Sequence, residues 1–96
     1  MITPAQSRAA RALLSWSRAD LAAASRLDEA AIAAFEDETH PADAETLTTL
    51  ARSFDTAGIA LLAAGENLTG GPGVRLRHHE AEEGLRPEEP NSSNDG

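Results

Sequence analysis

Residues 17–38, SRADLAAASRLDEAAIAAFEDE, constrain the fold more than any other stretch, because they read as two short helices joined by a tight turn. Ser17 precedes the first of these helices, and Asp20 follows three residues later. This spacing is that of a capping box, in which two side chains supply hydrogen-bond partners to the unpaired amides at a helix start. Residues 25–27 are left as the turn.

The second helix of the pair has its own start signal and its own apolar face. Asp28 is the expected N-terminal cap, because a short carboxylate at that place can accept a hydrogen bond from a first-turn amide. Ile32 and Phe35 lie three residues apart and therefore share one face of the helix. The pattern predicts a second helix whose apolar side packs against the first.

Two further helices are predicted on either side of this pair. Thr3 is a good cap, Pro4 suits the first helical position, and Gln6 completes a second capping box, so a helix should run from there to about Leu14. A last helix should begin near residue 43 or 44 and end at Gly58. The fold class is therefore mainly α, with four short helices.

The apolar positions of the four helices predict one core. Ala9, Leu13 and Trp16 have the spacing with which the first helix would meet that core. Trp16 is the largest apolar group of an alanine-rich chain, and we expect it to be buried rather than used for binding. The predicted core consists of Leu13, Trp16, Leu21, Leu27, Ile32, Phe35, Leu47, Leu50 and Phe54.

After Gly58 the hydrophobic period changes from that of a helix to that of a strand. Residues 59–62 and 74–77 are predicted strands, joined by a glycine-rich segment over residues 65–73. Two strands alone are marginally stable in water. The predicted β-hairpin must therefore pack on the helices as a flap or pair with a second copy of the chain, and we expect a homodimer.

The remaining residues, 78–96, are polar, acidic and proline-bearing. Such a segment cannot bury enough apolar surface to offset the entropy of ordering, so we expect it to be disordered. The predicted organisation is thus a helical domain over residues 1–58, a hairpin extension over residues 59–77, and an acidic tail.

Composition excludes several classes of protein. The 96 residues include no cysteine, so neither a disulfide framework nor a thiolate metal site is available. No apolar run reaches membrane-spanning length, and we expect a cytoplasmic protein. No nucleophile or phosphate-loop motif is present, and His40 has no metal-binding neighbour in sequence, so we expect no enzyme activity, cofactor or metal.

Charge is distributed unevenly along the chain. The net charge is −8, of which residues 1–27 carry +3, residues 28–58 carry −7, residues 59–79 carry +1 and residues 80–96 carry −5. The basic N-terminal region is the natural place for an anionic partner. The acidic region that follows it would repel one.

The chain resembles the phage Cro/repressor-type helix-turn-helix family, known as the XRE family. The resemblance extends over roughly residues 2–77. The residues that carry it are Trp16-Ser17, Ala19-Asp20-Leu21-Ala22, Ala31-Ile32 and Phe35-Glu36. It implies a compact, lambda-repressor-like domain in a small transcription regulator.

For function, the resemblance implies that the second helix of the pair enters the DNA major groove while the first crosses the backbone. Arg18 would then contact phosphate, with Arg8 or Arg26 as further candidates. The expected DNA-binding residues are Arg18, Asp28, Glu29, Ala30, Ala33 and Ala34.

The predicted reading helix is unusual for a DNA-binding protein. Asp28 and Glu29 would face phosphates, and alanine offers only a methyl group, although Glu29 can accept a hydrogen bond from cytosine. The alternative interpretation is that the acidic helix binds another protein, such as a second regulator or the transcription machinery.

Two structural expectations also follow from the resemblance. Members of the family commonly pair an arginine at the place of Arg11 with a glutamate at the place of Glu36, which would tie the first helix to the third. They commonly have glycine at the place of Arg26. A left-handed backbone there would cost an arginine about 1 kcal/mol.

Overall fold

The computed structural model describes residues 1–64 and 70–77. Within them the chain is mainly helical, with four helices followed by a small antiparallel sheet of two strands. The elements are α1 (Pro4–Leu14), α2 (Arg18–Ser25), α3 (Glu29–Glu36), α4 (Ala44–Thr56), β1 (Ile59–Leu62) and β2 (Gly73–Leu76). The predicted disorder of residues 78–96 lies outside the described residues.

The capping boxes predicted at the starts of α1 and α2 are both formed. Gln6 N donates to Thr3 Oγ1 at 3.1 Å and Thr3 N donates to Gln6 Oε1 at 3.0 Å. Asp20 N and Ser17 Oγ are 3.0 Å apart, and Ser17 N donates to the Asp20 carboxylate at 2.9 Å. Both helix starts therefore have their exposed amides satisfied locally.

Gln6 also fastens the start of α1 to the sheet. Its Nε2 donates to Leu62 O and to Gly73 O, each at 2.8 Å. These two carbonyls belong to opposite strands at the same end of the hairpin, where Leu62 pairs with Gly73. One buried side chain thus holds α1, β1 and β2 together, a role that the sequence did not predict.

The sheet packs on the helices instead of standing apart from them. β1 and β2 are antiparallel, with Ile59 opposite Leu76. β2 begins one residue earlier than predicted, and Arg77 follows it, donating its backbone N–H to Gly58 O at 2.7 Å. The Arg77 guanidinium reaches Asp55 Oδ1 at 2.8 Å, which places a cation at the C-terminal end of α4.

The core lies between the helices and the sheet. Five of the predicted core residues are fully or almost fully buried, and Trp16, Leu27 and Leu47 pack against them while partly exposed. Ile2, Ala10 and Ile59 complete the core and were not predicted. The buried apolar residues are Ile2, Ala10, Leu21, Ile32, Phe35, Leu50, Phe54 and Ile59.

The prediction that Ala9 and Leu13 reach the core is wrong. Leu13 is 44% exposed, and Ala9 is exposed as well. The buried face of α1 carries Gln6, Ser7 and Ala10 instead. Because the two polar residues have hydrogen-bond partners on other elements, burying them is favourable and α1 is rotated away from its more apolar side.

In the described part of the chain, no helix is both long enough and apolar enough to cross a membrane.

Candidate nucleic-acid interface

α2 and α3 are joined by a turn in which one residue takes the left-handed conformation. Arg26 has φ 64° and ψ 22°, and its N–H donates to Ala22 O at 2.8 Å. Ser25 is the last residue of α2 rather than the first of the turn. Its hydroxyl donates to Leu21 O at 2.8 Å and accepts from Leu27 N at 3.2 Å, so it links the helix end to the turn.

The start of α3 differs from the prediction in one detail. Asp28 occupies the capping position, with φ −69° and ψ 132°, but its side chain makes no capping hydrogen bond. Its backbone oxygen accepts instead from Ala31 N at 3.0 Å and from Ile32 N at 3.1 Å. The carboxylate is exposed and therefore available to an external partner.

The candidate DNA-contacting residues of α3 lie on its outward side to different degrees. Asp28, Glu29 and Ala30 are exposed, whereas Ala33 and Ala34 are half-buried. The exposed surface at the beginning of α3 therefore consists of two carboxylates and small apolar side chains.

At the other end of α3, Glu36 is a buried carboxylate held by three residues of two other helices. Its side chain has no exposed surface. Arg11 Nη2 lies 2.7 Å from Oε1 and Arg11 Nε lies 2.9 Å from Oε2, in a bidentate pairing. Ser7 Oγ donates to Oε2 at 2.6 Å, and Arg18 Nε lies 3.0 Å from Oε1. The structure thus joins Arg11 to Glu36 and adds two donors that the sequence did not predict.

These contacts keep Glu36 ionised although it is buried. Burial acts to raise the pKa of the carboxyl, but the hydrogen bonds from Arg11, Ser7 and Arg18 outweigh it. The pKa of Glu36 is therefore lowered from its ordinary value of 4.5. Ser7 could have been found from the sequence, because it lies four residues before Arg11 and so on the same helix face.

Arg18, the expected phosphate contact, already has carboxylate partners within the protein. Besides Glu36, its Nη2 lies 2.8 Å from Asp37 Oδ1, and its side chain is only 29% exposed. The hydrogen bonds to Asp37 and Glu36 raise its pKa further above the ordinary value. A phosphate that binds Arg18 must compete with Asp37, whose own side chain is 55% exposed.

Arg8 completes the charge balance at the end of α3. Its Nη1 donates to Glu36 O and lies 3.9 Å from Glu38 Oε2. A helix C-terminus carries partial negative charge, so three consecutive acids there are unfavourable unless cations lie close. Arg8, Arg11 and Arg18 supply those cations.

The structure gives no group of three or more histidine, aspartate or glutamate side chains able to hold a metal among the residues it describes. His40 lies exposed in the segment between α3 and α4.

No protein-family model matches this chain, and a search of curated proteins gives no match either.

Proposed function

We propose that the protein is a small helix-turn-helix transcription regulator that binds DNA as a homodimer. The observation that carries the proposal is the unit formed by α2, the left-handed turn at Arg26 and α3, whose first residues face outward. In DNA-binding proteins of this type the second helix of such a unit lies in the major groove, with its N-terminal residues near the base edges.

The chemistry of the exposed surface limits which bases α3 can contact in the groove. Glu29 can accept a hydrogen bond from the amino group of cytosine, and Ala30 can contact a thymine methyl group. Arg18 would supply a phosphate contact by exchanging Asp37 for a phosphate oxygen, which costs little because partly exposed ion pairs are weak. Such a protein would bind DNA weakly and would lose affinity as the salt concentration rises.

The dimer part of the proposal is supported by an apolar strip on one side of the molecule. Ala5, Ala9 and Leu13 are spaced four residues apart on α1, and all three are exposed. Ala5 and Ala9 line a groove with Val74 of β2, and Leu76 on the same strand is 48% exposed. A second copy that covered this strip would also satisfy the free edge of β2.

A second candidate function is favoured by a different observation, the acidity of the α2–α3 surface. Asp28, Glu29, Asp37 and Glu38 are all exposed, while Arg8 and Arg18, which lie beside Glu38 and Asp37, are paired with them. Complementary charge steers association, so this surface suits a basic patch on another protein better than a phosphate backbone. In this case the fold would serve protein recognition.

Titration of the isotopically labelled protein with duplex DNA from its own upstream region separates the two functions. For the DNA-binding function we expect amide shifts confined to the surroundings of Arg18 and to residues 28–34. Raising the salt from about 50 mM to about 200 mM should reduce these shifts, because phosphate contacts release counterions. No shifts at the lower salt would overturn DNA binding.

Four charge variants at three positions sharpen this test. Arg18→Gln should weaken DNA binding, whereas Arg75→Gln, which removes the same charge from an exposed position on β2, should not. Glu29→Gln leaves every described hydrogen bond intact, and it should strengthen DNA binding if α3 lies against phosphates. If the acidic surface binds a protein instead, Glu29→Lys should abolish capture of a basic partner and leave the fold unchanged.

A further inference from the structure

A cleft of about 490 Å³ lies between the end of α2 and the second half of α4. Trp16, Arg26, Thr49, Arg52 and Ser53 are among the residues that line it. Its volume is within the range of about 300–1,000 Å³ that is typical of sites for small molecules.

The charged residues lining this cleft are of one sign. Arg26 and Arg52 line it, and no acidic residue does. Both are exposed, and neither makes an ion pair with any described residue, in contrast to Arg8, Arg11, Arg18 and Arg77. In a chain whose net charge is −8, the cleft is a local concentration of unpaired positive charge.

The uncharged lining of the cleft is suited to the apolar part of a ligand. Trp16 stacks on the buried Phe54 with ring centroids 6.1 Å apart and an interplanar angle of 29°, which fixes the indole. The hydroxyls of Thr49 and Ser53 donate to backbone carbonyls one turn earlier in α4, at 2.9 Å each. Their protons are therefore already used, and the two guanidinium groups are the charged donors in the lining.

We propose that this cleft binds a small organic anion, with a carboxylate or phosphate group between Arg26 and Arg52 and a flat apolar body against Trp16. Guanidinium groups match both kinds of anion through paired N–H donors. An indole face favours a planar apolar partner. The cleft includes neither Arg18 nor the exposed surface of α3. Of the residues expected to contact DNA it includes only Arg26, a further phosphate candidate, so Arg52→Gln tests the cleft independently of DNA binding.

The test is an NMR titration of the labelled full chain with phenyl phosphate and, separately, with benzoate. Trp16 is the only tryptophan, so its indole N–H gives one unambiguous signal in the cleft. We expect that signal to shift in a saturable way, and the anion that binds more tightly identifies the head group. Arg52→Gln and Arg26→Gly should each weaken the apparent affinity by about tenfold, since each removes charged hydrogen bonds.

The variants are chosen to keep the fold. Glycine accepts the positive φ of Arg26 without strain, and glutamine is a good helix former at the exposed position of Arg52 in α4. Arg75→Gln is the matched control, because it removes an exposed arginine that is also unpaired within the described chain but lies on β2. It should leave the titration unchanged.

Three outcomes would overturn the proposal. The first is an unshifted Trp16 signal with both aromatic anions. The second is an equal loss of affinity in Arg75→Gln, which would indicate general attraction of anions to the chain. The third is an equal shift of the signal with inorganic phosphate or with benzyl alcohol, since the site is proposed to need both the charge and the apolar body.

Discussion

At the scale of single residues, Arg26 is a conformational exception that the fold tolerates. It adopts φ 64° in the turn between α2 and α3, a conformation that favours glycine because a Cβ atom crowds the backbone there. Ser15 and Glu38 are the other non-glycine residues with positive φ in the described part of the chain. The turn is therefore formed by the packing of the two helices and not by local preference.

Arg26→Gly should stabilise the protein, because it removes this local strain and no described side-chain contact is lost. We expect the free energy of unfolding to rise by about 1 kcal/mol, measured by urea denaturation. Arg26→Ala is the control, since alanine loses the same guanidinium but keeps the Cβ atom. A glycine variant no more stable than the alanine variant would show that the turn is unstrained.

Glu36 is the residue on which the charge network depends. Glu36→Gln keeps the shape of the side chain but removes the charge that Arg11 and Arg18 share. Breaking a buried ion pair typically costs about 3–5 kcal/mol, and the partial exposure of both arginines favours the lower end of that range. We expect a loss of about 3 kcal/mol in the same denaturation experiment. A loss below about 1 kcal/mol, the value typical of exposed pairs, would contradict a buried pair.

The lowered pKa of Glu36 also predicts how stability depends on pH. Because the folded pKa lies below the unfolded value of 4.5, the unfolded chain binds the proton more readily. The stabilisation is therefore complete above pH 4.5 and is lost as the pH falls through the folded pKa. We expect the thermal midpoint of the wild type to fall steeply over this acidic window and that of Glu36→Gln to fall less.

Part of that acid sensitivity should survive in Glu36→Gln. Asp43 caps α4, and the hydrogen bond from the backbone of Thr46 lowers its pKa as well. Asp43→Asn should remove this contribution. Equal pH dependence in the wild type and in Glu36→Gln would mean that Glu36 does not govern it.

At the scale of elements, the hairpin is held to the helices through Gln6 as much as through apolar contact. Gln6→Ala removes the donors to Leu62 O and Gly73 O as well as half of the capping box. Thr3→Ala is the control for the cap alone, which is worth about 0.5–2 kcal/mol. We expect Gln6→Ala to cost about 1–3 kcal/mol more than the control, because two partly buried carbonyls lose their donor.

Amide hydrogen exchange would locate this effect. In Gln6→Ala the amides of Ile59–Leu62 and Gly73–Leu76 should exchange faster, whereas in Thr3→Ala they should stay near the wild-type rate. Equal exchange in the two variants would show that the hairpin is held by apolar packing alone.

The elements also show what the sequence could and could not predict. The capping boxes of α1 and α2 were predictable because each depends on residues three positions apart. The orientation of α1 was not predictable, because alanines occur on several of its faces. The buried face is determined by the hydrogen bonds of Gln6 and Ser7. Their partners are 67 and 29 residues away, a distance over which helical periodicity carries no information.

The candidate site was likewise predictable from the sequence only in part. The exposure of Asp28 and Glu29 follows from their place at the start of an amphipathic helix. The pairing of Arg18 with Asp37 does not, because it depends on how closely the start of α2 approaches the end of α3. From the sequence alone, the arginines of the basic N-terminal region were expected to be free to bind phosphate. In the structure, most of them are paired with carboxylates of the protein.

At the scale of the whole molecule, the exposed apolar strip of α1 and β2 predicts self-association. Leu76→Glu should make the protein monomeric, because a carboxylate would be buried without a partner in the interface. Sedimentation velocity at several concentrations measures this directly, and the wild type should sediment as a dimer. Met1→Gln, which changes another exposed apolar residue, should leave the dimer intact. A wild type that remains monomeric at every concentration would overturn this prediction.

The bond from Gln6 to Gly73 has a consequence for the way the chain is made on the ribosome. Residues 4–56 contain the four described helices and leave the exit tunnel before the two strands, since synthesis proceeds from the N-terminus. Gly73 is synthesised later, so until then the side-chain amide of Gln6 donates its hydrogen bonds to water instead of to the Gly73 carbonyl. Gln6 is thus translated 67 residues before the residue that completes its contacts.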